Sequence, residues 1–189
     1  MDAIADAHLP GFDVAMIYRR DRFGRGGDQV PMVEAGFPAV RVTEAAENYT
    51  RQHQDIRTQN GIVYGDTIDG VDFRYLSRVT QLNALTMASL ASAPRPPLEV
   101  KVEGAVSADT KVSWTPSKDA ESYVVWWRDT TSPTWQYSQS VASSDASVVL
   151  KGVVIDDWFF GVQAVSSDGY ASPIQFAGLV GAFLQAPTQ

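Results

Sequence analysis

A chain of 189 residues without cysteine excludes both a disulfide framework and a thiolate metal site, and it has the length for one large domain or two small ones. Its formal net charge of −7 argues against a nucleic-acid role, while 44% hydrophobic and 20% charged residues are the balance of a globular chain. No apolar run approaches the ~18 residues of a membrane span. The opening Met1-Asp-Ala-Ile-Ala-Asp6 lacks the basic start and apolar stretch of a signal peptide, so the signal of an exported parent would lie upstream.

Asp13-Val-Ala-Met-Ile-Tyr18 is apolar on both faces, as in a strand of a covered sheet. A Gly- and Arg-rich loop, Arg19 to Gly27, follows; its Gly24-Arg-Gly-Gly27 run lacks the Lys-Ser/Thr of a phosphate loop. Asp28 is placed to cap a short helix through Val33, which Gly36 would end. Pro38-Ala-Val-Arg-Val-Thr43 alternates like a second strand. Residues 44–69 are polar and aperiodic. Asp72 then begins the best helix of the sequence. At 100° per residue Tyr75, Leu76, Val79, Leu82, Thr86, Met87 and Leu90 share roughly 140° of arc, opposite Arg74, Arg78, Gln81 and Ser89. Such a stripe must pack on something, and two short strands are a poor partner. Residues 1–92 therefore read as the end of an α/β domain whose beginning is absent, and helix 72–92 could instead pack on a second chain.

Ala93-Pro-Arg-Pro-Pro97 cannot continue a helix and reads as a linker. Beyond it the period changes to two. Leu98–Glu103, Lys111–Trp114, Tyr123–Trp127, Trp135–Tyr137, Ser147–Leu150 and Trp158–Val165 are strand candidates, divided by turn signals at Pro116, Ser132-Pro133, Ser143-Ser-Asp145 and Asp168-Gly169. Short strands at this spacing predict an all-β immunoglobulin-like sandwich over 98–183. All five Trp lie beyond residue 113, in keeping with two different modules. Tyr123, Val125 and Trp127 share one face of their strand, and Val124, Trp126 and Arg128 the other. The second set could form a surface platform of Trp126 with Trp135 or Tyr137 for a sugar or a protein partner. The alternative is that these rings only cover their own sheet or the N-terminal half.

Two resemblances sharpen this picture. Trp114, Tyr123, Leu150, the run Trp158-x-Phe160-x-Val162-x-Ala164-Val165, Asp168-Gly169 and Ser172-Pro173 resemble the pattern of a fibronectin type III domain. Trp158 stands where that family usually has a tyrosine. In the first half, Gly26-Gly-Asp-Gln-Val-Pro-Met-Val-Glu-Ala-Gly-Phe-Pro-Ala-Val40, the stretch around His53, and Asp66-Thr-Ile-Asp-Gly-Val-Asp72 resemble the C-terminal end of a co-catalytic-zinc exopeptidase of the bacterial leucine aminopeptidase type.

That resemblance implies a parent enzyme, exported to the periplasm or secreted, that removes N-terminal residues from peptides using two zinc ions. It implies His53 as a metal ligand, Asp28 and Asp55 as carboxylates orienting ligands, and Tyr49 beside the substrate. From composition alone His53 is a solvated loop residue, Asp28 a helix cap and Tyr49 a packing residue. The remaining ligands and the general base would lie outside this chain, leaving it inactive alone. The competing expectation is a non-enzymatic protein- or carbohydrate-binding module built on the sandwich.

Overall fold

Gly36 ends its helix as the sequence predicts, and the computed structural model, which describes residues 1–18 and 24–178, shows how. Helix α2 (Gln29–Glu34) is preceded by α1 (Asp2–His8). At the end of α2 the Gly36 N–H donates to Val33 O and the Phe37 N–H to Met32 O, each at 3.0 and 2.9 Å, with Gly36 at φ +87°. This is a Schellman closure, and its left-handed residue is costly for any side chain but cheap for glycine. At the other end Asp28 occupies the cap position but makes no side-chain cap bond. Its dihedrals are helical (φ −62°, ψ −17°), whereas a capping side chain turns back onto the helix only from extended backbone.

The chain divides into two units, Met1–Leu85 and Thr86–Gln189. In the first, β1 (Arg57–Gln59) and β2 (Ile62–Tyr64) form an antiparallel hairpin inside the stretch read as aperiodic. Its turn is Asn60-Gly61, with φ of +52° and +77°, the doubly left-handed geometry that suits two-residue hairpins. Helix α3 (Phe73–Ser92) begins where expected, with Asp72 Oδ1 accepting the Tyr75 N–H at 2.9 Å.

Leu82 is the one buried residue of the α3 stripe; it packs with Ala5 and Leu9 of the α1 region, flanked by Met1, Ile4, Phe12, Val14 and Leu85. Arg78 fastens that contact by donating to Pro10 O at 2.6 Å. Leu76, Met87 and Leu90 stay exposed. Among the described residues the unit holds no parallel strand pair, and the expected strands 13–18 and 38–43 join no sheet. A strand is defined by its neighbour's hydrogen bonds, and neither segment has such a neighbour among the described residues. Among the described residues no helix is long and apolar enough to cross a membrane.

The second unit follows the period-two pattern closely. Strands β3 (Leu98–Glu103), β4 (Thr110–Thr115) and β7 (Ser147–Leu150) form one antiparallel sheet in the order β3-β4-β7. Strands β5 (Ser122–Asp129), β6 (Tyr137–Ala142), β8 (Trp158–Val165) and β9 (Gln175–Phe176) form the other, in the order β6-β5-β8-β9. Three strands facing four, with β6 on β5 rather than beside β7, is a two-sheet antiparallel sandwich, as the resemblance to a fibronectin type III domain implies.

The inward residues of both sheets make one core: Val100, Val112, Trp114 and Leu150 from the first, Tyr123, Val125, Val141, Phe160, Val162 and Ala164 from the second. Trp114 meets Tyr123 at 5.2 Å between ring centroids, and the Tyr123 hydroxyl accepts the Ser117 N–H at 2.8 Å. The buried hydroxyls are satisfied, Thr110 donating to Val153 O and Ser172 to Pro173 O. The proline segment is held on this unit: Pro94 and Pro97 are buried, and Arg95 O accepts from the Ser117 hydroxyl at 2.6 Å.

One surface pair yields a pH prediction. Asp109 accepts from Lys151 Nζ at 2.7 Å and from the Gly152 N–H at 2.9 Å. The Lys151 bond first, and then the amide, hold its carboxyl below the ordinary 3.8. A depressed carboxyl favours the fold above its unfolded value, and that contribution is lost as pH falls through the lower folded value. Its midpoint in a carboxyl NMR titration is expected under 3.8 and is expected to rise in Lys151→Ala.

Candidate functional site

The candidate site lies on the first unit, in the loop that runs from Thr43 to Asp55. A shallow cleft of about 440 Å³ opens between this loop and the start of α3, with Thr43, Glu47, Arg51, Asp66 and Tyr75 in its wall. Glu47 anchors it. Its carboxylate is only 10% exposed and receives Arg25 at 2.9 Å and Gln52 at 3.0 Å. The hydrogen bond that Arg25 donates to Glu47 also raises the pKa of the Arg25 guanidinium. Arg51 closes the other wall by donating to the Thr67 hydroxyl at 2.7 Å. Thr67 is also the first cause holding Asp69 below the ordinary carboxyl value, ahead of the Arg51 charge. Arg25 and Glu47 are far apart in sequence, and no motif spacing joins them.

His53 sits at the end of the turn that starts at Tyr49, exposed and left-handed at φ +53°. Histidine is one of the few residues besides glycine that visits this region with any frequency. Asp55 is exposed, and its carbonyl accepts from Arg57. Asp28 is exposed at the head of α2. Tyr49 is 64% exposed, and the Arg25 guanidinium lies 5.6 Å from its ring centre. The structure thus joins Tyr49 to the Arg25–Glu47 pair, and it joins His53, Asp28 and Asp55 to one another by no hydrogen bond among the described residues. Nor does any group of three or more His, Asp or Glu side chains converge as a metal site among those residues. A structural zinc needs four ligands and a catalytic one at least three, so the described residues by themselves do not fit the ion.

Strand register divides the aromatic residues of the sandwich between its two faces. Tyr137 pairs with Trp127, so it lies on the inner side of its sheet, where it stacks on Trp127 at 5.8 Å and meets Trp158 edge-on at 5.4 Å. Trp126 faces the other way and donates to Gln163 Oε1 at 3.0 Å. Trp135, expected to open a strand, instead folds across that outer face against Phe176 at 5.1 Å. Arg128 lies between them, 4.7 Å from the Phe159 ring centre and 5.5 Å from that of Trp135. Gly161 makes room, since a Cβ there would stand 2.5 Å from Ile174 and 3.1 Å from the Trp135 ring. Trp126 and Trp135 therefore share the outer face of their sheet, packed there with Arg128, Phe159 and Phe176, while Tyr137 lies on the opposite face and is no part of that group. Alternation along one strand assigned Trp126 to its face, but it carried no information on where the loop would carry Trp135.

No protein-family model matches the chain. Over 173 residues it is 42% identical to a protein named probable zinc metalloprotease from Pyrenophora tritici-repentis (strain Pt-1C-BFP), covering 90% of this chain and 35% of that one. The chain is a homologue of proteins so named. Another, from Leptosphaeria maculans, is 42% identical over 90% of this chain and 40% of its own length. One from Pyricularia oryzae is 38% identical over 85% of this chain and 33% of its own. The chain thus spans about a third of the length of these relatives. A match over 90% of this chain takes in the Tyr49–Asp55 loop wherever its ends fall.

Solved structures similar to the chain include an FN3 domain of human collagen XX (19% identity, 46% of this chain and 86% of that one, TM-score 0.36). A two-domain fibronectin type III segment of chicken tenascin is also similar (20%, 46% and 50%, TM-score 0.40).

Proposed function

We propose that this chain is the C-terminal piece of a zinc-dependent aminopeptidase that hydrolyses N-terminal residues from peptides. The observation that carries the reading is the 42% identity, over 90% of this chain, to proteins named probable zinc metalloprotease that are more than twice as long. In this reading His53 supplies one ligand to a two-zinc site whose other ligands belong to the rest of the protein. An exposed imidazole on a turn suits that role, because it can be reached by residues the chain does not contain. Asp28 and Asp55 stand as carboxylates that orient bound imidazoles. Tyr49, held by Arg25 with its ring largely open, contributes a contact to the substrate. The parent is exported, and the sandwich is an appended module joined at the proline segment 93–97.

The test uses the longer protein containing these 189 residues. An aminoacyl chromogenic substrate with a free α-amino group is expected to turn over, and its N-acetylated analogue is expected to be at least ~100-fold poorer. A peptidase that must recognise the free amine loses that binding energy in the transition state when the amine is blocked. Equal cleavage of the blocked substrate, or internal cleavage of a folded protein, would replace the aminopeptidase assignment with an endopeptidase one.

A further inference from the structure

The β1–β2 hairpin begins four residues after His53 and is fastened to the same turn. The Gly65 N–H donates to Thr50 O at 2.9 Å, so the chain leaving β2 returns to the Tyr49–His53 turn. Gly65 stands at φ +104°, and a Cβ there would come within 2.8 Å of the Ile56 backbone. Only glycine lets the two legs close this tightly at the base. Even fully extended, the chain from His53 to the end of β1 spans at most about 20 Å, and a bound peptide advances about 3.3 Å per residue. The hairpin is therefore within reach of the first residues of a peptide held at Tyr49.

Register divides the hairpin side chains between two faces, with Arg57 opposite Tyr64, Thr58 opposite Val63 and Gln59 opposite Ile62. The Arg57–Tyr64 face is satisfied from within: the guanidinium lies 4.1 Å from the Tyr64 ring centre and donates to Gln54 Oε1 at 3.2 Å. The other face carries Thr58, Val63 and, by alternation, Ile56, with no charged side chain. Ile56 is 73% exposed and Val63 46%. An antiparallel pair usually keeps its apolar face covered, and a lone hairpin is marginal in water. The Asn60-Gly61 turn, the Arg57–Tyr64 contact and the Gly65 closure hold this one in shape without a cover. A preformed apolar strip of this kind suits an occupant that comes and goes, because little ordering is left for binding to supply.

We propose that this hairpin sets the substrate preference of the peptidase: its Ile56–Thr58–Val63 face binds apolar side chains of the peptide on the carboxyl side of the bond that is cut. The proposal rests on the functional reading above and narrows it to peptides whose second and third residues are apolar. The occupant follows from continuity, since the hairpin and Tyr49, the substrate contact of that reading, belong to one anchored turn. A permanent neighbour in the longer protein is the competing cover, and it predicts a loss of stability rather than a change of selectivity.

The experiment uses the longer protein containing these 189 residues. Its substrates are a leucyl chromogenic amide, which has no amino acid beyond the cut bond, and the peptides Leu-Val-Ile-Val and Leu-Lys-Lys-Val. Val63→Asp is expected to lower kcat/KM for Leu-Val-Ile-Val at least ~10-fold and to change the chromogenic amide less than ~2-fold. The ratio of the two peptides is expected to shift toward Leu-Lys-Lys-Val by at least ~30-fold, because the new carboxylate repels the apolar partner and attracts the basic one. Binding is read separately by calorimetry, with a Leu-Val-Ile-Val whose first amide is reduced and resists hydrolysis. Its Kd is expected to rise at least ~10-fold in Val63→Asp. Val63→Thr keeps the shape and strand preference of valine, and is expected to move both readouts the same way by at least ~3-fold, about the worth of one buried methyl, at an unchanged unfolding transition.

Equal loss on all three substrates overturns the proposal, as does a lowered unfolding transition at unchanged selectivity, or unchanged kinetics and Kd. Binding of the reduced peptide that responds to Val63→Asp, in a protein that hydrolyses none of the substrates, would refute the aminopeptidase reading and leave the hairpin a peptide-binding element.

Discussion

Trp114→Ala is expected to destabilise the sandwich by about 3–5 kcal/mol, the range for removing a buried aromatic from a packed core. Trp114 is 5% exposed and joins the two sheets, since it lies on β4 and its ring meets Tyr123 of β5. Its loss opens a cavity and also frees Tyr123, whose hydroxyl ties the β4–β5 connection through Ser117. For a domain of this size each kcal/mol is worth roughly 4–8 °C in Tm. Thermal unfolding of residues 86–189, followed by the fluorescence of the four remaining Trp, is the measurement.

Trp114→Phe sharpens the prediction. The indole Nε1 is buried without a hydrogen-bond partner among the described residues, so phenylalanine keeps an aromatic ring and removes an unsatisfied donor. It is expected to cost less than half as much as alanine. A loss under about 1 kcal/mol for Trp114→Ala would place Trp114 outside the core, because surface substitutions rarely exceed half that amount.

The two halves were legible to different degrees for a physical reason. In the sandwich each strand's inward residues are set by local alternation, and Val112, Trp114, Tyr123, Val125, Phe160 and Val162 all lie in the core. Alternation failed only where a loop decides, as at Trp135. In the first half the strongest local signals held: Gly36 ends α2 and Asp72 starts α3. The Asn60-Gly61 pair is as strong a hairpin signal as a sequence offers, but its flanks do not alternate: Arg57–Gln59 is polar throughout and Ile62–Tyr64 apolar throughout. Helix α1 gives no sequence signal because seven residues carry too little periodicity. Segments 13–18 and 38–43 carry a preference that they do not satisfy among the described residues. Their sequence states a preference for a sheet, and pairing needs a partner that local sequence cannot provide. The candidate site shares that limit, for His53 and Asp28 lie on loops whose geometry depends on what surrounds them.

The last expected result concerns His53. In the longer protein, replacing it is expected to lower zinc affinity at least ~100-fold, since even partners that only orient a ligand are worth 10–100-fold. Peptide turnover is expected to fall with it, and this chain alone with added zinc is expected to show none. The choice of variant matters. His53 stands at φ +53°, where alanine adds strain of order 1 kcal/mol that has nothing to do with metal. Asparagine accepts that backbone readily and lacks the imidazole, so His53→Asn isolates the ligand. Because the side chain is exposed, the Asn variant is expected to unfold within about 0.5 kcal/mol of the parent in the metal-free state. Loss of zinc at unchanged metal-free stability is the signature of a ligand. Full zinc content and turnover in His53→Asn would return His53 to a solvated turn residue, and turnover by the 189-residue chain alone would mean that the site is complete without the rest of the protein.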